Sequence, residues 1–437
     1  MALRNLIYQT IIWRGLYFLS VLVLNIMIAR YYEASYSGII YFVVNSYALV
    51  VIAGSLSLES GTSYFLASGR AGPVELGSFS LLWAITVTAA IAVALWLLLK
   101  LRLLPEVYDQ YFMAAILYTG GCILSNFFTS LFYAKRSFLV PNLLMVIVNL
   151  LLIAMLPFTG NFISRKGYIE LYFGGFLLQG VLLTITFFMI AGSVQKVILP
   201  GRKLVSGIFR YAFQALGANL LFFLLYRIDY WFVERYCSAA DLGNYIQVSK
   251  LVQVFLIIPM MVASAVFPVS ADKNRNISDF KQSILKISRV LTSVSLVACM
   301  LLAALGHWLF PLIYGPTFNN MHIPFLLLIP GILSLNTLSI LSAFFAGQNK
   351  VWVNLAGAVL GLLAIIILDV AFIPRYGIVA AALISSIGYL VNMLFSAGHF
   401  KKGQHITLAE FFYFNYKEFG EIKNHLMAES FIKKGKA

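Results

Sequence analysis

Residues 346–390 read AGQNKVWVNLAGAVLGLLAIIILDVAFIPRYGIVAAALISSIGYL. From Val351 to Ile373 a single charged side chain, Asp369, interrupts an otherwise uncharged and largely apolar run. A bilayer crossing needs about 20 such residues. The PRYG sequence at 374–377 then breaks the pattern, because proline removes a helix donor and glycine tolerates backbone conformations other residues avoid. A second apolar run follows and continues to His399. Backbone in hydrocarbon has to satisfy its own hydrogen bonds, so both runs are expected as helices, 351–373 and 377–399, joined by a tight turn.

The same alternation extends back to the start of the chain. Ten further spans are expected at 8–30, 36–66, 77–100, 110–134, 140–163, 168–193, 206–232, 241–268, 287–313 and 322–346. Of 437 residues, 61% are apolar, 15% aromatic and 11% charged. A soluble domain carries about 25% charged residues, and a globule of this composition could not cover itself with polar groups. The fold class expected is therefore an all-α membrane protein of about 12 transmembrane helices.

The formal net charge is +15. In a soluble protein that would suggest nucleic acid; here no nucleic-acid partner is expected, because basic residues gather on the cytoplasmic side of membrane proteins. With the N-terminus inside, 21 Lys and Arg fall on the cytoplasmic side, 7 outside and 3 within spans. This bias, with an even number of spans, puts both termini in the cytoplasm. The run after Arg14 is too long for a signal-peptide core and has no clear small-x-small cleavage site, so it reads as the first span.

The linker at 194–206, with Pro200 and Gly201, divides the chain into two six-helix bundles, 1–200 and 201–400, followed by a tail at 401–437. Weak self-similarity supports the division. Arg30-Tyr31, Ala34 and Gly38 match Arg235-Tyr236, Ala239 and Gly243 at an offset of 205; Gly167 matches Gly377 at 210; Ala134 and Asn142 match Ala346 and Asn354 at 212. Six spans per half make this a parallel repeat, whose axis runs along the membrane normal and whose halves can rock around a shared cavity.

Charges within spans are costly and tend to be functional. Arg14 lies in span 1, Glu59 in span 2, Arg227 and Asp229 in span 7, and Lys250 in span 8. Arg14, Arg227 and Lys250 could each snorkel to headgroups, but Asp229 is too short to do so. Residues 227 and 229 do not face each other on a helix, so separate partners are expected. Cations outnumber anions in the deeper positions, which suits an anionic substrate, and arginine matches phosphate geometry best. Arg14, Arg227 and Lys250 are therefore the candidate substrate-binding residues, with Asp229 and Glu59 balancing charge or coupling an ion. Asp369, near the outer end of its span, is expected at the interface.

Cys122, Cys237 and Cys299 lie far apart and read as apolar packing residues, and no pair of histidines has metal-ligand spacing. No metal and no cofactor is expected. The phosphate-binding glycine loop, the nucleophile elbow and the zinc-protease pattern do not occur, and no enzyme activity is expected. The tail segment beginning at Leu408 alternates at helical spacing and reads as an amphipathic helix on the inner membrane face.

Three stretches carry a family resemblance: IMIARYYEASYSGIIYF with SLESGTSYFLAS; YRIDYWFVERYCSAADLGNYIQVSKL with VFPVSA; and the 346–390 segment. Together they resemble the Wzx-like oligosaccharide flippases, in the polysaccharide-transporter branch of the multidrug/oligosaccharidyl-lipid/polysaccharide (MOP) exporter superfamily, over about residues 8–399. The resemblance implies a MOP-flippase-like fold working by alternating access in the bacterial inner membrane. The cargo implied is an undecaprenyl-pyrophosphate-linked oligosaccharide, moved from the cytoplasmic to the periplasmic leaflet for O-antigen, capsule or another surface polysaccharide. Membrane lipids and other polysaccharide-assembly proteins are the implied partners, with proton or sodium coupling. Alternatives are a multidrug/cation antiporter of the same superfamily, against which the cationic excess counts, or a polytopic glycan polymerase or acyltransferase, which would usually show a sizeable outer loop or a membrane His/Asp set.

Overall fold

The computed structural model describes residues 3–103, 109–160, 162–191, 198–270, 277–401 and 407–411. Its helices are α1 (Leu3–Ser55), α2 (Leu58–Ala67), α3 (Pro73–Lys100), α4 (Phe112–Ala134), α5 (Leu139–Met155), α6 (Arg165–Ile190), α7 (Arg202–Arg227), α8 (Asp229–Tyr236), α9 (Ala239–Phe255), α10 (Ile257–Ser270), α11 (Ile277–Tyr314), α12 (His322–Gly347) and α13 (Val351–Lys401). Among the described residues, ten continuous or nearly continuous helical stretches are long and apolar enough to cross a membrane.

Two of the ten are each a pair of spans. α1 has 53 residues, about 80 Å if straight, against a hydrocarbon core about 30 Å thick. It turns at Glu33, with φ 61° and ψ 173°, a conformation rare for a side-chain-bearing residue. Ser37 Oγ donates to the Glu33 carbonyl one turn back at 2.6 Å. α13, with 51 residues, turns at Gly377, with φ 58° and ψ −140°, where only glycine is comfortable. Counting both turns, the ten stretches give the expected twelve spans, and the PRYG break lies where the sequence placed it.

Other spans are broken midway. Leu56 and Ser57 both have positive φ, 50° and 55°, and separate α1 from α2. Ile228 separates α7 from α8, and Leu256 separates α9 from α10. Pro259 accounts for the last break, since its ring cannot sit against the carbonyl four residues earlier.

Span 9 starts earlier than expected. α11 already begins at Ile277, so the second part of the polar stretch 270–286 is helical. Phe280, Ile284 and Leu285 form a buried face on it, an amphipathic pattern that a search for uniformly apolar runs passes over. Residues 271–276, part of the linker at 194–206 and the tail helix expected beyond Phe411 lie outside the described residues.

The chain forms two compact units, Met1–Phe223 and Leu224–Ala437. Most of α7 therefore packs within unit 1: Tyr211 stacks on Tyr64 at 4.7 Å, and Phe209 meets Trp83 edge-on at 5.4 Å. The unit 1 core is aromatic, with Phe127, Phe128 and Phe132 of α4 against Phe173 and Phe187 of α6, all buried. In contrast, Leu82, Ile85, Val93 and Trp96 of α3 are exposed, as a helix facing lipid would be.

Each unit contains the same helix crossing. A Cβ on Gly121 of α4 would lie 2.2 Å from the backbone of Phe176 in α6. A Cβ on Gly331 of α12 would lie 2.8 Å from Ser386 Oγ and 3.1 Å from its Cα in α13. Gly331 is 210 residues after Gly121, and Ser386 is 210 after Phe176. The turns after α4 and α12 also agree: Arg136 and Asn349 take φ 59° and 57°. Ser137 N donates to the Phe132 carbonyl as Lys350 N donates to that of Phe345, the glycine-type helix ending in both halves. These pairs extend the internal repeat well beyond its few identical residues.

Gly121→Leu and Gly331→Leu should each destabilise the purified protein by about 3 kcal/mol, read as a lowered midpoint in detergent thermal unfolding. Gly174→Ala, where an added Cβ meets nothing within 4 Å, should leave the midpoint unchanged or slightly higher.

Candidate functional site

The break at Ile228 makes Asp229 the first residue of α8 and directs it inward; it is 2% exposed. Tyr245 of α9 donates to Asp229 Oδ2, and Ser385 of α13 donates to the same oxygen at 2.7 Å. The Tyr245 and Ser385 hydroxyls are themselves 3.2 Å apart. Asp229 Oδ1 is buried without a hydrogen-bond partner. Asp369 is fully buried, both of its carboxylate oxygens lack partners, and it lies within electrostatic reach of Asp229.

This corrects the interfacial placement of Asp369. Near the end of a span, a short acid was expected to reach the headgroups. Instead Asp369 shares a helix face with Ile365, Gly361 and Ala358, all buried, and that face packs inward. Gly357 and Gly361, small residues four apart, are the signal that marks it as a packing face rather than a lipid face.

Two buried carboxylates, one of them entirely unpartnered, need a positive species between or upon them. Asp229, Asp369, Ser385 and Tyr245 offer only oxygen, which suits a proton or a hard cation rather than a soft metal. Among the described residues there is no cluster of three or more His, Cys, Asp and Glu with the arrangement of a metal site.

Unit 2 also holds two expected cations. Arg227, the last residue of α7, and Lys250 of α9 are both half-buried and within electrostatic reach of each other. Arg227 also acts on Tyr230, whose ring meets that of Tyr245 edge-on at 5.9 Å. Unit 2 thus gathers Arg227, Asp229 and Lys250, and Asp229 takes its partners from α9 and α13, as the two-residue spacing requires.

Unit 1 holds the other two candidates. Arg14 is exposed, with its guanidinium 5.5 Å above the Tyr133 ring, a cation–π contact. Tyr133 is fixed in turn by donating to Asn142 Oδ1 at 3.0 Å. Glu59 lies in the first turn of α2, half-buried, with Oε2 buried and unpartnered. The strained turn before it is held by Asn219 Nδ2 donating to Ser57 Oγ at 3.0 Å and Trp83 Nε1 donating to the Gly54 carbonyl at 3.2 Å. Ser130 Oγ of α4 donates to the Glu59 carbonyl at 3.1 Å. Arg14 and Glu59 are not paired with each other.

The family described as "Polysaccharide biosynthesis protein" matches residues 78–323, more than half of the chain. The chain belongs to that family. No curated protein matches the sequence. Among solved structures, the lipid II flippase MurJ in an inward closed conformation is similar at 16% identity, covering 92% of this chain and 89% of its own, with a TM-score of 0.72. An inward-facing multidrug resistance MATE family transporter of the MOP superfamily is similar at 14% identity, covering 88% and 94%, with a TM-score of 0.69. A MOP superfamily transporter from Pyrococcus furiosus, described as having a binding pocket of reverse polarity, is similar at 14% identity, covering 91% and 94%, with a TM-score of 0.61. The protein is a multi-pass membrane protein with the MOP transporter fold, and the expected fold class holds.

Tyr245→Phe and Ser385→Ala should each lower stability by about 1–3 kcal/mol, measured by thermal unfolding in detergent. Because both donate to one oxygen, the double variant leaves that buried oxygen without a side-chain donor and should cost more than the sum of the two.

Proposed function

We propose that this family member is a flippase that moves an undecaprenyl-pyrophosphate-linked oligosaccharide from the cytoplasmic to the periplasmic leaflet of the bacterial inner membrane. It works by alternating access of its six-span halves, 1–200 and 201–400, with both termini in the cytoplasm. Its product feeds O-antigen, capsule or a related surface polysaccharide. The observation that carries the reading is the match to the polysaccharide biosynthesis family over residues 78–323 on a MOP transporter fold, and Arg227 and Lys250, both half-buried in unit 2, are the cations available to the cargo. A pyrophosphate presents two adjacent anionic groups, and an arginine fork beside a lysine suits them.

Arg14 supplies a third cation to the headgroup. Asp229, joined by Asp369, binds the coupling proton or sodium ion, and Glu59 balances charge or takes part in coupling. The membrane potential helps the cargo outward by about 2.3 kcal/mol per negative charge per 100 mV. The protein's task is to replace the water lost from phosphates and sugar hydroxyls while the lipid tail stays in the bilayer.

The buried acids also favour a second reading, a multidrug/cation antiporter. Deleting the gene separates the two: loss of surface glycan with unchanged resistance to cationic drugs supports the flippase, and the reverse supports the antiporter.

Arg227→Gln, Lys250→Gln and Arg14→Gln should each reduce surface glycan in a deletion strain by about tenfold or more, the effect of losing one charge-assisted hydrogen bond. Wild-type glycan from all three at normal protein level would remove these residues from the mechanism.

A further inference from the structure

The second half of α13 carries a buried polar stripe. Ser385, Tyr389, Asn392 and Ser396 recur at intervals of four, three and four, and each is at most 3% exposed. Intervals of this kind put all four on one helix face. The opposite flank of the same helix shows Leu390 and Leu394, both exposed.

The first half of α13 faces this stripe with Gly361 and Gly357, with Asn354 three residues before them and Asp369 eight residues after. A Cβ on Gly357 would lie 2.4 Å from Asn392 Oδ1, and one on Gly361 would lie 2.6 Å from the Gly388 carbonyl. The two halves therefore run in close contact along a single seam. Seven polar side-chain atoms at this seam and its acidic end are buried without a partner: Asp229 Oδ1, both oxygens of Asp369, Asn354 Oδ1, both amide atoms of Asn392, and Ser396 Oγ. Each unsatisfied buried group costs about 1–3 kcal/mol. One or two can be tolerated, but so many along one line call for a common partner, and buried water is the usual one.

The seam has two distinct ends. One is the acid pair, where Tyr389 lies within electrostatic reach of Asp229. The other runs toward the residues that line a cavity of about 380 Å³, among them Lys281, Lys350, Val353 and His399. Val353 adjoins Asn354, and His399 stands about one turn beyond Ser396. From Ser385 to Ser396 the helix rises about 17 Å, roughly half the hydrocarbon thickness.

We propose that the helix seam within α13 is a water-filled access path joining the Asp229–Asp369 pair to the Lys281–Lys350 cavity, so that the pair exchanges protons with the membrane face bearing those lysines. Asn392 and Ser396 orient single-file water that runs alongside the tight contacts at Gly357 and Gly361. The role of the path rests on the ion-coupling reading above, but the presence of water in it does not.

Thiol accessibility tests it without any transport assay. Cys122, Cys237 and Cys299 are first replaced by serine, and Asn392→Cys, Ser396→Cys, Leu394→Cys and Lys350→Cys are made singly in that background. Sealed membrane vesicles of either orientation are treated with a small charged methanethiosulfonate. Thiolates form and react in water rather than in hydrocarbon, so the cysteines at 392 and 396 should react about tenfold faster than the one at 394. They should do so only in the orientation that labels position 350. Rates at 392 and 396 no faster than at 394, with position 350 fully labelled, would overturn the path and show dry amide packing. Ser396→Cys is nearly isosteric, so it reports even if Asn392→Cys fails to fold. Fast labelling together with normal glycan export in Asp229→Asn and Asp369→Asn would keep the path and discard ion coupling.

Discussion

Hydrocarbon supplies no hydrogen bonds, and every irregularity in this chain is shaped by that fact. Side chains hold two of the places where a span turns or breaks. Ser37 serves the turn at Glu33, and Asn219 and Trp83 hold the region around Leu56–Ser57. Buried groups without a partner occur in both units. In unit 2 they concentrate around Asp229, Asp369 and the seam of α13, where protein interior meets the proposed ion chemistry.

The two units share a scaffold and differ in the chemistry placed on it. The glycine crossings at Gly121 and Gly331 and the turns at Arg136 and Asn349 are built alike. Inside, unit 1 carries a neutral chain in which Gln179 donates to Asn149 and Asn149 donates to Ser20. Unit 2 carries two acids and two basic residues instead. A repeat of this kind fixes geometry twice and leaves side chains free to diverge.

Much of this was legible in the sequence. Span number, the PRYG turn and the internal repeat followed from hydropathy and a nearly constant offset, because lipid imposes its demands on the whole length of a span. Arg227, Asp229 and Lys250 stood out because charge in a span is expensive. Asp369 was seen but misplaced, since distance from the span end says nothing about which face a side chain occupies. Tyr245 and Ser385 could not be chosen in advance from the many tyrosines and serines, because their role comes from contacts across 140 and 16 residues of chain. The early start of α11 was hidden by its amphipathic pattern.

The reversals at Glu33 and Gly377 also have a practical side. Each reverses the chain at a single non-helical residue, so neither offers a loop to that face of the membrane. A protease, an antibody or an inserted epitope would find no foothold there without unwinding the hairpin. Reporter tags for mapping sidedness belong instead in the wider connection at 156–164, where Phe162 is already 85% exposed.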